Sequence, residues 1–258
     1  MMQLQEVELL KNKLSIIILA AGKGTRMNSD LPKVLHTING KSMIEHVIKK
    51  TKKLNPYKVL VVVGYKHNTV KKYLSGYKLE YVLQEEQKGT GHAVMQCAEK
   101  LQNEDCDTLI LSGDVPLITE QTLINLYETH MNNRAVATIL GAKIKNPHGY
   151  GRIVRNENKI VSIVEEKDAN QKEKNINEIN AGIYIFNNNI LFKNIEEIDN
   201  KNNQSEYYLP NLIPILIQYG WGDRMIVYNT DNENEIKGAN TIEQLIELEK
   251  YAKTKKKN

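Results

Sequence analysis

The sequence predicts an α/β fold: a mainly parallel central sheet with helices on both faces and a small β-hairpin substrate lobe. Two observations carry this. Up to Leu140, apolar runs of strand length alternate with helical-looking stretches, and strand-helix-strand succession implies right-handed crossovers onto a parallel sheet. Beyond Leu140 the pattern turns to short alternating segments, which fit a hairpin. In a sheet of this kind ligands bind at the carboxyl ends of the strands.

The elements follow in order. Residues 14–19 (LSIIIL) form the first buried strand. Gly40 to Ser42 reads as a turn, with Ser42 capping a helix over 43–54. Strands are expected at 59–63, 80–83, 108–111 and 135–140, and helices at 67–74, 90–101 and 119–131. Segments 149–155 and 159–166 pair across Asn156-Glu157-Asn158, and 168–176 is a loose polar loop. A strand at 178–186, an amphipathic helix at 205–219, a strand at 224–228 and a helix at 241–252, capped by Thr241, complete the chain. Residues 14–252 are expected to form one domain, with an extension at 1–13 and a Lys-rich tail at 253–258.

Composition narrows the function. The chain has 258 residues, 41% hydrophobic and 26% charged, which is ordinary for a globular protein. Its net charge of +4, from 35 basic and 31 acidic residues, is too balanced for a nucleic-acid binder. Cys97 and Cys106 are too few for a disulfide framework or a cysteine-rich metal site and read as small buried hydrophobes. No span approaches the roughly 18 apolar residues of a membrane helix. The first thirteen residues, acidic and amphipathic, do not read as a secretory signal. The expected compartment is the cytoplasm.

Three motifs carry chemistry. The first is LAAGKGTRMNSDLPK, Leu19 to Lys33. A glycine-rich turn after a strand offers backbone N–H groups to an anion, and Arg26 and Lys33 add two cations, so the turn suits a polyphosphate. It is neither a dinucleotide fingerprint, lacking the third glycine, nor a P-loop, since Leu35 stands where the P-loop ending in Gly40-Lys41-Ser42 needs its first glycine. The second is LSGDVPLI, which brings Asp114 to the carboxyl end of a buried strand. A carboxylate there suits Mg²⁺, which takes one or two protein carboxylates together with phosphate oxygens and water. The third is QEEQKGTGHA, where Gly89-Thr90-Gly91 opens a helix and suits a base or phosphate approached by backbone N–H groups. His92 in that turn could be an acid or base, but with no partner evident in the sequence it reads rather as structural.

Together these motifs resemble the sugar-nucleotidyltransferase family, and within it the uridylyltransferase (pyrophosphorylase) domain of the bacterial bifunctional enzymes that make UDP-N-acetylglucosamine. The resemblance continues through GYGRIV, VEEKDA, EINAGIYIF, SEYYLPNLI and GANTIEQLIELE, in order, over nearly the whole chain. It implies a Rossmann-like nucleotide-diphospho-sugar transferase fold. It implies that Leu19, Ala20, Ala21 and Gly22 line the nucleotide, that Arg26 and Lys33 act on its phosphates, and that Ser112 and Gly113 lie with Asp114 along it. Gln84 would read the uracil edge, with Gly89 and Thr90 completing the base pocket. Asp114 and Asn240 would hold Mg²⁺, and Gly151, Glu165, Asn180 and Asn240 would surround the sugar. The residues alone leave Glu165 equally a surface carboxylate, Asn180 a turn residue and Asn240 a residue preceding a helix.

The implied reaction is UTP + N-acetylglucosamine 1-phosphate → UDP-N-acetylglucosamine + pyrophosphate, feeding peptidoglycan and lipopolysaccharide precursor synthesis, with no nucleic-acid or membrane partner. Another sugar 1-phosphate, such as glucose 1-phosphate with UTP or dTTP, is the alternative; a non-catalytic homologue is a weaker one. Three departures from the resemblance stand out. Ser112 replaces a frequent aromatic, at a position expected to contribute backbone only. Ala181 replaces a frequent Thr beside Asn180. Nothing in the sequence resembles the C-terminal left-handed β-helix that carries acetyl transfer in the bifunctional enzymes.

Overall fold

The computed structural model describes residues 13–255. Residues 1–12 of the expected extension and 256–258 of the tail lie outside the described residues. In chain order the strands are β1 (Lys13–Ala20), β2 (Thr37–Ile38), β3 (Lys41–Ser42), β4 (Lys58–Val63), β5 (Glu80–Leu83), β6 (Cys106–Ser112), β7 (Ala137–Lys143), β8 (Gly151–Asn156), β9 (Lys159–Val164), β10 (Glu178–Asn187) and β11 (Met225–Asn229). The α-helices are α1 (Met43–Thr51), α2 (His67–Tyr73), α3 (Thr90–Met95), α4 (Ala98–Leu101), α5 (Glu120–Asn132), α6 (Gln171–Lys174), α7 (Asn188–Asn194), α8 (Leu212–Gln218) and α9 (Ile242–Lys255).

The central sheet runs β11-β7-β10-β6-β1-β4-β5. Pairings β5–β4, β4–β1, β1–β6 and β7–β11 are parallel. Along this path β10 alone runs against its neighbours, β6 and β7. The expected mainly parallel sheet is therefore present. The hairpin β8–β9 joins it through Gly151 and Arg152 against β10.

The unbroken apolar run of β1 reflects cover on both faces. Ile16 and Ile18 pack with Ile44 and Val47 of α1 and Leu123 and Leu126 of α5. Ile17 points to the opposite face, among Ala93, Val94, Leu212 and Leu216. Each strand residue alternates faces, and both faces here are dry. Cys97 and Cys106 are free and buried, as expected, and burial pushes the Cys97 thiol up to about 12.

Local signals fix several boundaries. Ser42 caps α1 in a complete capping box with Glu45, and Thr119 caps α5. Three expectations change and one helix is added. The helix over 90–101 is broken into α3 and α4 at Gln96-Cys97. The loose loop contains α6, held by a capping box between Asn170 and Glu173. The helix over 205–219 begins only at a 3-10 turn, Leu209–Asn211, followed by α8. Ahead of it Tyr207 is tied as extended chain, its N–H to Lys88 O (2.8 Å) and its carbonyl to Gly91 N (2.7 Å), which removes it from any helix. Finally, α7 follows β10 directly, with the Asn187 side chain accepting from Ile190 N.

Candidate active site

The carboxyl ends of β1, β4, β5 and β6 lie side by side, and their loops surround a cavity of about 460 Å³. Leu19, Ala20, Ala21 and Gly22 form its wall at the end of β1. Gly24 lets the loop fold back over Lys33: its φ is +65°, and a Cβ there would stand 2.6 Å from Lys33 Cβ. That turn aims Lys33 into the cavity. Arg26, on the 3-10 turn Thr25–Met27, is exposed and stands off the cavity wall.

The second wall comes from the turn after β5. Gln84, Gly89 and Thr90 all line the cavity. Gly89 has φ +108°, and a Cβ there would meet Tyr207 O at 2.6 Å. Only glycine allows the turn to seat against the extended segment at Tyr207 in this way. Thr90 Oγ1 accepts from Leu209 N at 3.0 Å, pinning the start of α3 to the same segment.

β6 delivers Ser112, Gly113 and Asp114. Gly113 N donates to Leu19 O at 2.9 Å, which joins the ends of β1 and β6. The Asp114 carboxylate accepts from Lys33 Nζ and, at 2.5 Å, from Ser112 Oγ. Burial opposes its charge, yet the Lys33 ammonium and the Ser112 hydroxyl hold its carboxyl below the usual carboxylate value. The expectation that Ser112 contributes backbone only does not hold. Its hydroxyl orients Asp114, an interaction that an aromatic residue without a hydroxyl could not make.

Asn240 arrives from the loop between β11 and α9. Ala239 N donates to Asp114 O at 3.2 Å, and Lys33 Nζ donates to Asn240 Oδ1 at 3.1 Å. One ammonium is thus held by Asp114 and Asn240 together. This oxygen pair converges on a cation, and a carboxylate with an amide carbonyl is a hard donor set suited to Mg²⁺, with the other positions left to water and phosphate. Among the described residues no group of three or more His, Cys, Asp or Glu could hold a metal ion.

Gly151, Glu165 and Asn180, three of the residues expected around the sugar, gather on the β8–β9–β10 lobe, beside the cavity wall formed by Gly149, Tyr150, Ala181 and Gly182. Gly151 pairs with Asn180 across β8 and β10. Asn180 is buried, donates to Tyr184 Oη at 2.6 Å and accepts from Gly182 N at 3.0 Å. The register of β10 shifts between Asn180 and Tyr184, which turns Ala181 and Gly182 toward the cavity. Glu165 follows β9. Burial, then Asp168, push its carboxyl up, while Arg152 pulls it down. Gly151, Glu165 and Asn180 do not themselves line the cavity.

Sequence reasoning passes over Tyr150 and Glu206, which line the cavity. Both fall within the quoted motifs GYGRIV and SEYYLPNLI, so the signal is the motif rather than the residue. Sequence reasoning also finds no partner for His92, whereas its ring meets Gln84 and Gln96 and lies against Tyr207.

Comparison with known proteins agrees with this architecture. The nucleotidyl transferase family matches residues 15–230. The bifunctional protein GlmU of Streptococcus uberis is 51% identical over 200 residues, covering 77% of this chain and 43% of that one. The GlmU of Streptococcus agalactiae serotype V is 46% identical over 235 residues, covering 91% and 50%. The chain therefore spans about half the length of the curated relatives it matches. Among solved structures, a UDP-glucose pyrophosphorylase complexed with UDP-glucose superposes with TM-score 0.77 at 19% identity, covering 94% of this chain and 99% of that one. A putative glucose-1-phosphate thymidylyltransferase from Bacillus anthracis gives TM-score 0.72 at 19% identity, covering 93% and 95%. These two share the fold. With a parallel sheet, a glycine-rich cationic loop at its carboxyl edge and a family match over most of its length, this chain belongs to the nucleotidyl transferase family.

Proposed function

We propose that the chain transfers the uridylyl group of UTP to N-acetylglucosamine 1-phosphate, releasing pyrophosphate and giving UDP-N-acetylglucosamine. The observation that carries this reading is the Lys33 ammonium held between Asp114 and Asn240 in a cavity walled by the glycine loop. That arrangement brings a cation and hard oxygen donors for a metal ion to the place where two anions must meet. The sequence resemblance and the similarity to GlmU proteins favour uridine and an N-acetylated sugar over other pairs.

In the reaction a phosphate oxygen of the sugar phosphate bonds to the α-phosphorus of UTP, and the bond from that phosphorus to the β-phosphate oxygen breaks. The nucleophile is already an anion at neutral pH, so no general base is needed. Catalysis then rests on positioning and on charge stabilisation. Lys33 and Arg26 offset charge on the triphosphate and the leaving pyrophosphate. The backbone from Leu19 to Gly22 and Gln84 with Gly89 and Thr90 hold the nucleotide. Asn180, Glu165 and Gly151 hold the sugar. Mg²⁺ on Asp114 and Asn240, when bound, supplies Lewis-acid charge at the phosphates.

The test is product identification. The purified chain with UTP, N-acetylglucosamine 1-phosphate and Mg²⁺ is expected to yield UDP-N-acetylglucosamine by mass spectrometry, and none in excess chelator. Absence of that product with Mg²⁺ present contradicts the reading.

A further inference from the structure

Gln84 is a buried side chain on the cavity wall, 3% exposed. Its Nε2 lies 3.1 Å from Gly89 O and 3.0 Å from His92 Nδ1. A carbonyl oxygen can only accept, so the amide nitrogen, not the amide oxygen, must face Gly89. The second amide hydrogen then meets His92 Nδ1, which accepts it when the ring carries its proton on Nε2. Both amide donors are consumed inside the protein. Among the described residues no donor meets Gln84 Oε1, so what the side chain offers a ligand is an acceptor.

That polarity separates pyrimidines. The edge of uracil presents an N3–H donor, whereas cytosine presents a bare N3 acceptor at the same place. A fixed acceptor matches the first and opposes the second. We propose that His92 is a specificity-determining positioning residue, whose Nδ1 lone pair locks the Gln84 amide so that the site takes a uracil-class base and rejects cytosine. The proposal rests on the base-reading role given to Gln84 above. Accepting the amide hydrogen requires a neutral ring, and burial, then Lys88, hold the His92 imidazolium below the usual range. The ring is itself held in place, its centroid 6.1 Å from that of Tyr207. With the proton on Nε2, Gln96 Nε2 stands 3.3 Å from a ring donor, so the two are neighbours and not hydrogen-bonded; Gln96 Nε2 donates instead to His92 O at 3.1 Å. The Gln84 contact is the shorter of the two ring contacts.

Removing the Nδ1 acceptor frees one amide hydrogen in a buried place. A buried donor left unsatisfied is costly, so the amide turns that hydrogen to the ligand and blurs the polarity it presents. His92→Phe keeps a ring beside Tyr207 and removes the acceptor. His92→Asn keeps an acceptor, Oδ1, near the Nδ1 position and removes the ring. The measurement is the equilibrium dissociation constant of UTP and of CTP, with Mg²⁺, for the native chain, both variants and Gln84→Ala. Ligand-free melting checks each fold, and His92→Leu takes the place of the Phe variant should that one not fold.

The expected result is a UTP-over-CTP preference that falls by about tenfold in His92→Phe, the scale of one hydrogen bond, and that is largely kept in His92→Asn. Equal weakening of both nucleotides in His92→Phe, with the ratio unchanged, overturns the proposal and leaves His92 a packing residue. If Gln84→Ala itself leaves the ratio unchanged, the base-reading role of Gln84 fails, and the proposal falls with it. If Gln84→Ala collapses the ratio and His92→Phe does not, only the positioning role fails.

Discussion

At the scale of single residues, the proposed chemistry rests on Lys33 and Asp114. Asp114 keeps its charge in a buried place because Lys33 and Ser112 stabilise it. Asp114→Ala is expected to lower Mg²⁺-dependent turnover by at least about 10²-fold, the order seen when one preorganised charge-stabilising group is removed. Near-normal kcat in Mg²⁺ contradicts the role given to Asp114. Arg26 touches none of this network and is exposed, so Arg26→Ala is expected to melt like the native chain. The role proposed for its charge, on the transferring phosphates, predicts a loss in kcat more than in the KM for the sugar phosphate. Steady-state kinetics check this, and a pure KM effect contradicts it. The types of these residues are legible in the sequence, since a cation on a glycine loop and a carboxylate at a strand end have few other uses. Their partners are not. That Ser112 orients Asp114, or that His92 meets Gln84, depends on side chains projecting across a turn, which spacing does not report.

Polar clusters hold the elements around the site. The Glu45 carboxylate of α1 accepts from Ser42 N (2.9 Å), Ser42 Oγ (3.1 Å), Tyr73 Oη (2.8 Å) and Tyr77 Oη (2.8 Å). Burial works to raise this carboxyl, but these hydrogen bonds outweigh it and bring it down to about 2 from 4.5. A depressed folded-state value means that this stabilisation is fully present above about 4.5 and is lost as pH falls toward about 2. Glu45→Gln is therefore expected to melt lower than the native chain at neutral pH and to show a weaker loss of Tm between those values. Parallel native and variant Tm curves through that window contradict the assignment.

A second cluster secures the loop that brings Asn240 to Asp114. Glu235 accepts from Thr119 Oγ1 (3.0 Å), Thr122 Oγ1 (2.5 Å) and Asn232 Nδ2 (3.0 Å), tying that loop to the start of α5. Glu235→Ala removes the acceptor of the buried Thr122 hydroxyl, and calorimetry is expected to show a loss of about 1–3 kcal/mol. An unchanged Tm would mean that the loop is held by other contacts. The strands and long helices can be read from sequence because periodicity and caps are local. The start of α8 cannot, because the tie from Tyr207 to the glycine turn is a tertiary hydrogen bond that overrides an apolar helical pattern. The short helix α6 escapes a sequence reading for the opposite reason: its capping box is local, but its polar residues bury no stripe.

On the proposed reading, the sheet edge takes the nucleotide and the β8–β9–β10 lobe the sugar, with Asp114 and Asn240 between them. No described helix is long and apolar enough to cross a membrane. A preformed cavity binds its ligand in the folded state alone, so UTP with Mg²⁺ is expected to raise Tm, by about 2.7 kcal/mol of stabilisation when UTP stands at 100 times its Kd. An unmoved Tm at saturating UTP contradicts nucleotide binding at this site. The most direct test of the central claim is pyrophosphate release from UTP with Mg²⁺, compared across N-acetylglucosamine 1-phosphate, glucosamine 1-phosphate and glucose 1-phosphate. The predicted result is rapid release with the N-acetylated sugar and far slower release with the other two. Preference for glucose 1-phosphate would contradict the sugar assignment and point to Ala181 beside Asn180, and no release with any of the three would contradict uridylyl transfer itself.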